Sequence, residues 1–230
     1  EGGRRSLNFT AIVNDTDGDM NVSNGSVTAN LSRAGESTRT NNTCQLISGN
    51  SSGGNWSCSI DIEFFDGAGS WQISVKATDN ASQTSQNNTR YFTISSTTGM
   101  NMTVSALTFP STAPGNRNIT SNNDPITVQN TGNKAYLNIS VTGINLLGDT
   151  NSATSIPAAN FTVGNATSAG VAPSECVNNT NLGGRLVNNT AINIEGANTS
   201  KGAVAQNALY FCLIHAPSNL ISQTYSTGGT

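Results

Sequence analysis

Residues 14 to 32 read NDTDGDMNVSNGSVTANLS, and two chemistries compete for that stretch. Asp15, Asp17 and Asp19 alternate around a glycine, a spacing that can converge carboxylate oxygens on Ca²⁺, a hard cation that takes about six to eight oxygen ligands. Asn14, Asn21, Asn24 and Asn30 each open an Asn-x-Ser/Thr triplet, the acceptor for an N-linked sugar on an exported chain. The same triplet recurs at Asn8, Asn41, Asn50, Asn55, Asn80, Asn87, Asn101, Asn118, Asn138, Asn160, Asn165, Asn178, Asn188 and Asn198, which makes 18 in all. The chain's Asn, Ser and Thr content alone would produce about 8 by chance, so composition accounts for half and exposed sugar acceptors for the rest.

The calcium reading needs a fourth carboxylate. If the strands order as in a sandwich, the loop after the first strand lies at the same end as the loop carrying Asp79, and Asp15, Asp17, Asp19 and Asp79 could meet there. Against this, no glutamate completes an EF-hand pattern, and aspartate and glycine dominate plain turns for backbone reasons. A structural Ca²⁺ and a solvated turn both stand, and no cofactor is required.

Other reactive types are sparse. Asp61 and Glu63 share one face of a strand, as the carboxylate pair of a glycosidase does, but Trp56, Ile60 and Phe64 claim the opposite face, so the pair reads as a solvated edge. The single histidine, His215, follows an apolar strand, and no Gly-x-Ser-x-Gly elbow accompanies it. Lys76 invites an intramolecular isopeptide crosslink, but Ile73, Val75 and Ala77 take the inward phase and leave it outside. Trp71 reads as core, with stacking on a sugar as the alternative. No catalytic residue is expected. Cys44 and Cys58 flank a Gly/Ser/Asn-rich hairpin, and Cys176 and Cys212 fall in the second half; with no C-x-x-C spacing and one histidine, zinc is a poor fit. Two disulfides, Cys44–Cys58 and Cys176–Cys212, are expected, hence an oxidising compartment.

The elements that must hold these groups are strands. In SLNFTAIVND, Leu7, Phe9, Ala11 and Val13 alternate with Asn8 and Asn14, as in a strand with one buried face. The offset recurs in MNMTVSA, AYLNISV, ANFTV and NWSCSIDIEF, each time with the acceptor asparagine on the wet side. No segment sustains a helical apolar period. Strands are expected at 6–14, 26–34, 42–48, 55–65, 70–78 and 89–95, then at 100–108, 125–130, 135–147, 159–164, 185–195, 207–215 and 220–226. The fold class is therefore all-β: two tandem immunoglobulin-like sandwiches, residues 1–97 and 98–230, joined through the SSTTG stretch. The first set corresponds to strands B to G, which leaves an opening strand to be supplied and an edge to be covered or paired.

Composition sets the surface. Only 10% of residues are charged, against roughly 25% in typical soluble domains, while Asn, Ser and Thr number 33, 28 and 29. A net charge of −3 without a basic stripe excludes a nucleic-acid partner, and no apolar run reaches the ~18 residues of a membrane span.

LNFTAIVNDTDGDM, followed by a hairpin and then WQISVKATDN, resembles the tandem immunoglobulin-like modules of archaeal and bacterial cell-surface proteins, surface-layer-like glycoproteins among them. ITVQNTGNKAYLNISVTGINL is similar to the strand-turn-strand of CARDB-like adhesion modules. The resemblance implies a non-enzymatic structural role in an extracellular surface layer or filament, with copies of itself or neighbouring surface proteins as partners and strand addition among the modes. A calcium-dependent adhesion or carbohydrate-binding module of a larger secreted protein is the alternative. With so few titratable groups, stability is expected to vary weakly with pH, which unfolding midpoints measured through the acidic range would check.

Overall fold

The alternation in RSLNFTAIVN becomes strand β1 (Arg5–Asn14), whose Leu7, Phe9, Ala11 and Val13 are half-buried while Asn8, Thr10, Ile12 and Asn14 are exposed. The computed structural model describes residues 3–15, 22, 25–50, 53–165 and 184–228. Among these the fold is all-β, with several antiparallel sheets and a single helical turn, a 3-10 turn at Ala158–Asn160. Among the described residues no helix is long and apolar enough to cross a membrane. The chain divides into two compact units, Glu1–Gly99 with Thr131–Lys134, and Met100–Asn130 with Ala135–Thr230.

In the first unit β1 is followed by β2 (Val27–Ser32), β3 (Arg39–Asn41), β4 (Gln45–Asn50), β5 (Gly53–Ile62), β6 (Gly69–Thr78) and β7 (Thr84–Ile94). They form two antiparallel sheets, in the orders β1-β5-β4 and β3-β2-β6-β7. Val27, Ala29 and Leu31 of β2, Trp56, Cys58 and Ile60 of β5, and Trp71 and Ala77 of β6 build one core between them. Both tryptophans are fully buried, and truncating either to alanine would cost about 4 kcal/mol. Cys44 and Cys58 are joined, both in this core, and closing that loop is worth about 3 kcal/mol in the chain-entropy picture.

Strand β3 lies outside the expected set because TRTN has no apolar alternation. Tertiary contacts make it a strand. It pairs with β2, and its Arg39 reaches the crossover between β5 and β6, where Asp66 is 2% exposed. Arg39 Nε donates to both Asp66 oxygens at 3.1 Å and Nη2 donates to Oδ1 at 2.6 Å. Asp66 Oδ2 also accepts from the Glu63 backbone at 2.9 Å, and the guanidinium sits 5.6 Å from the Phe65 ring centroid. In the same crossover Trp71 Nε1 donates to the Gly67 carbonyl at 2.8 Å. A Cβ at Gly67 would meet the side-chain ends of Glu36 and Arg33, which pack over this turn and would have to shift to admit it. The β6–β7 hairpin is closed by Asp79, whose Oδ1 accepts from Gln83 N at 2.7 Å while Ser82 takes a positive φ.

The connector Ser95–Gly99 is held by the NTGN turn. Asn133 Nδ2 donates to Ser95 O at 2.8 Å, its Oδ1 accepts from Thr97 N at 2.7 Å, and Thr131 N donates to Gly99 O at 3.0 Å. These contacts place Thr131–Lys134 in the first unit.

The second unit contains β8 (Met100–Met102), β9 (Arg117–Thr120), β10 (Ile126–Asn130), β11 (Tyr136–Thr142), β12 (Leu146–Gly148), β13 (Ser155–Ile156), β14 (Phe161–Asn165), β15 (Gly184–Arg185), β16 (Ala191–Ser200), β17 (Gln206–His215) and β18 (Tyr225–Ser226). The largest sheet runs β15-β14-β17-β10-β8, with β9 also on β17; β11 pairs β16, and β12 pairs both β13 and β18. Its core gathers Ile126, Val128, Ile139, Phe161, Val163, Ile194, Leu209, Phe211 and Leu213. Strand 100–108 shrinks to Met100–Met102, and Met100 and Met102 are 52% and 51% exposed, contrary to the inward phase read for MNMTVSA. That run ends as a strand because its residues beyond Thr103 find no ladder partner among the described residues; only Val104 and Phe109 reach the core.

On β17, β9 covers Cys212 to His215 and β10 covers Gln206 to Leu209, which leaves Tyr210 and Phe211 between them. Asp124 fills the break: both its oxygens accept from Phe211 N at 3.1 Å, while Ser121 N donates to Phe211 O at 3.2 Å. Burial raises the Asp124 pKa above its ordinary value, opposed by the backbone hydrogen bond from Phe211 that lowers it.

Two outcomes are expected. Arg39→Met leaves a buried carboxylate without its cation and should cost about 3 kcal/mol in urea unfolding of the first unit, most of it recovered by adding Asp66→Asn. For Asp124, the folded chain holds its proton to higher pH than the unfolded chain. Its stability contribution therefore improves as pH falls from neutrality through the folded pKa. Asp124→Asn keeps the acceptor without the charge, so its unfolding midpoint should lose that component of the pH slope and be no lower than the parent's at neutral pH.

Candidate functional site

The acceptor asparagines mostly meet solvent. Asn8, Asn14, Asn30, Asn55, Asn80, Asn87, Asn101, Asn118, Asn138 and Asn188 are exposed. Asn41 and Asn160 are half-buried. Asn165 is the exception at 2% exposed. It ends β14, all five of whose residues are buried, because this strand sits between β15 and β17 and β16 packs across it. The one-sided alternation read in ANFTV therefore fails there: Thr162 is buried along with Phe161 and Val163. Asn21, Asn24 and Asn178 lie outside the described residues, as do the side chains of Asn50 and Asn198.

Of the four aspartates weighed for calcium, Asp17 and Asp19 lie outside the described residues. Asp15 is half-buried at the end of β1, and Asp79 spends its Oδ1 on its own hairpin turn. Cys212 is disulfide-bonded within β17, and Cys176 lies outside the described residues. Trp71 is fully buried with its indole N–H satisfied, which overturns the sugar-stacking alternative for that residue. Lys76 is exposed on β6, opposite Thr28 and Gln86. His215 ends β17, and its carbonyl accepts from Asn160 Nδ2 at 2.8 Å.

Asp61 and Glu63 do come together, in a polar cleft of about 630 Å³ in the first unit. Arg4 holds both: Nη2 donates to Glu63 Oε1 at 2.7 Å and Nη1 lies 3.5 Å from Asp61 Oδ2. Ser6 Oγ donates to Asp61 Oδ1 at 2.7 Å. The hydrogen bond to Glu63, followed by its charge, raises the Arg4 pKa above its ordinary value. A glycosidase sets its two carboxyls on either side of a scissile bond, whereas here a single guanidinium engages both. The cleft is also lined from β3 and its flanks by Thr38, Thr40, Asn41 and Asn42. Asn41 Nδ2 donates to Ser59 O at 2.7 Å and its Oδ1 accepts from Thr43 N at 2.8 Å.

No family model, curated protein or solved structure matches this chain. The site therefore rests on its own geometry. Sequence reasoning finds the Asp61–Glu63 pair and, separately, Asn41, but misses Arg4 and the cleft, because β3 has no pattern to place it beside β5. Among the described residues no group of three or more His, Cys, Asp or Glu side chains is arranged to hold a metal ion.

Proposed function

We propose that this chain is a non-enzymatic structural glycoprotein, a subunit or segment of an extracellular cell-surface assembly. The observation that carries the reading is the exposure of ten acceptor asparagines on strands and loops of both units. An N-linked sugar needs room outside the core beyond its asparagine, and a sheet with one buried face supplies that on alternate residues. A surface poor in charge has little electrostatic repulsion between copies, so attached sugars would govern which faces touch.

The architecture in this reading is a pair of immunoglobulin-like sandwiches. For the first unit, the sheet orders β1-β5-β4 and β3-β2-β6-β7 support it, since they correspond to B-E-D and C′-C-F-G. In that scheme β1 is strand B. Among the described residues it pairs only with β5, so its other edge is open to a strand from a neighbouring copy. The disulfide Cys44–Cys58 supports an oxidising, extracellular setting.

Glycopeptide mass spectrometry of protein from its native source tests this. Sugar is expected on Asn8, Asn30, Asn55, Asn87 and Asn138 and not on Asn165; bare peptides at all ten exposed acceptors would sink the proposal. Removing the sugars should increase self-association in analytical ultracentrifugation, and equal solubility before and after would count against the shielding role.

A further inference from the structure

The sharpest unassigned feature is a gap in the first unit's ladder. Strand β4 begins at Gln45, opposite Ser57 of β5, so among the described residues the stretch of β5 from Ser59 onward has no ladder partner on that side. An uncovered edge of this kind invites pairing with another chain. The cleft of about 630 Å³ lies along it, and Asn41 reaches in to cap the Ser59 carbonyl at 2.7 Å.

We infer that an N-linked sugar on Asn41 lies in this cleft and covers the bare edge of β5. The inference rests on the glycoprotein reading above and specifies one sugar's place. Asn41 opens an acceptor triplet, and the triplet's own Thr43 N–H holds its carbonyl at 2.8 Å. The amide is thus pinned at both ends. An N-linked amide keeps its carbonyl and one N–H, so both bonds can persist once a sugar is attached, and the first ring then leaves from a fixed direction.

The walls suit a sugar. Thr38, Thr40 and Asn42 offer hydroxyl and amide groups, and Arg4, Asp61 and Glu63 offer a guanidinium and two carboxylates. Every lining side chain is polar, which disfavours an apolar ligand and matches a ring of hydroxyls that both donate and accept. Asn8, by contrast, stands exposed on the outer face of β1, and a sugar there would extend into solvent.

Mild periodate oxidation of the native folded protein, read by glycopeptide mass spectrometry, measures how accessible each sugar is. The Asn41 sugar should be oxidised about tenfold more slowly than those on Asn8, Asn30 and Asn87, the ratio set by one or two hydrogen bonds. Unfolding should abolish the difference, and Arg4→Ala with Glu63→Gln should reduce it. A second variant, Thr43→Ala, removes the acceptor triplet while Asn41 still caps Ser59; amide hydrogen exchange at Ser59–Asp61 should then quicken in material from the same source. Asn41 bare while other acceptors carry sugar, or an Asn41 sugar oxidised as fast as the rest, overturns this inference and leaves the glycoprotein reading standing. Bare peptides throughout would overturn both.

Discussion

A carboxylate that cannot reach water must find a cation or a set of N–H donors, and Asp66 is in that position at the crossover between the two sheets of the first unit. It takes both, from Arg39 and from the Glu63 backbone. The consequence extends beyond the pair. Arg39 belongs to a three-residue strand with no apolar side chain, so the ion pair and the ladder to β2 are what fix β3 in place. Asn41 ends that strand, and with Asp61 and Glu63 it lines the cleft. The Trp71 indole, bonded to Gly67 in the same crossover, ties the turn to the core.

The asparagines have a second use besides presenting acceptors. Asn41 caps Ser59 O, Asn130 donates to Ser200 O, Asn133 clasps Ser95 and Thr97, and Asn160 caps His215 O. Each amide stands in for a backbone group where a ladder stops, satisfying a carbonyl that would otherwise need water. Asp124 does the same for Phe211 N in the break between β9 and β10. This accounts for part of the amide content without any sugar. It also means that the acceptors differ: some amides face water unengaged in strand geometry, and others are already structural.

Legibility followed burial. Where one face of a strand meets a core and the other meets water, as in β1 and β5, the period of two told both the element and its buried side: Trp56, Cys58 and Ile60 in, Asn55 and Asp61 out. It failed in β14, where neighbours cover both faces and Thr162 and Asn165 are buried with the apolar residues. It failed again at Met100–Leu107, where alternation exists but no strand arrives to pair with it beyond Met102. The cleft was invisible because Arg4, Asn41 and Asp61 are far apart in the chain and none sits in a motif with the others.

The sequence by itself determined the all-β character, the phase of the clearest strands, the Cys44–Cys58 pairing and the polar, weakly charged exterior, because these follow from local periodicity, spacing and composition. Tertiary structure alone decided that Arg39–Asn41 is a strand, that Asn165 is inside, that Asp124 completes a ladder and that Asn41 lies beside Asp61 and Glu63. Those depend on which strands become neighbours, and that is settled by contacts between residues distant in the chain, which no local pattern encodes.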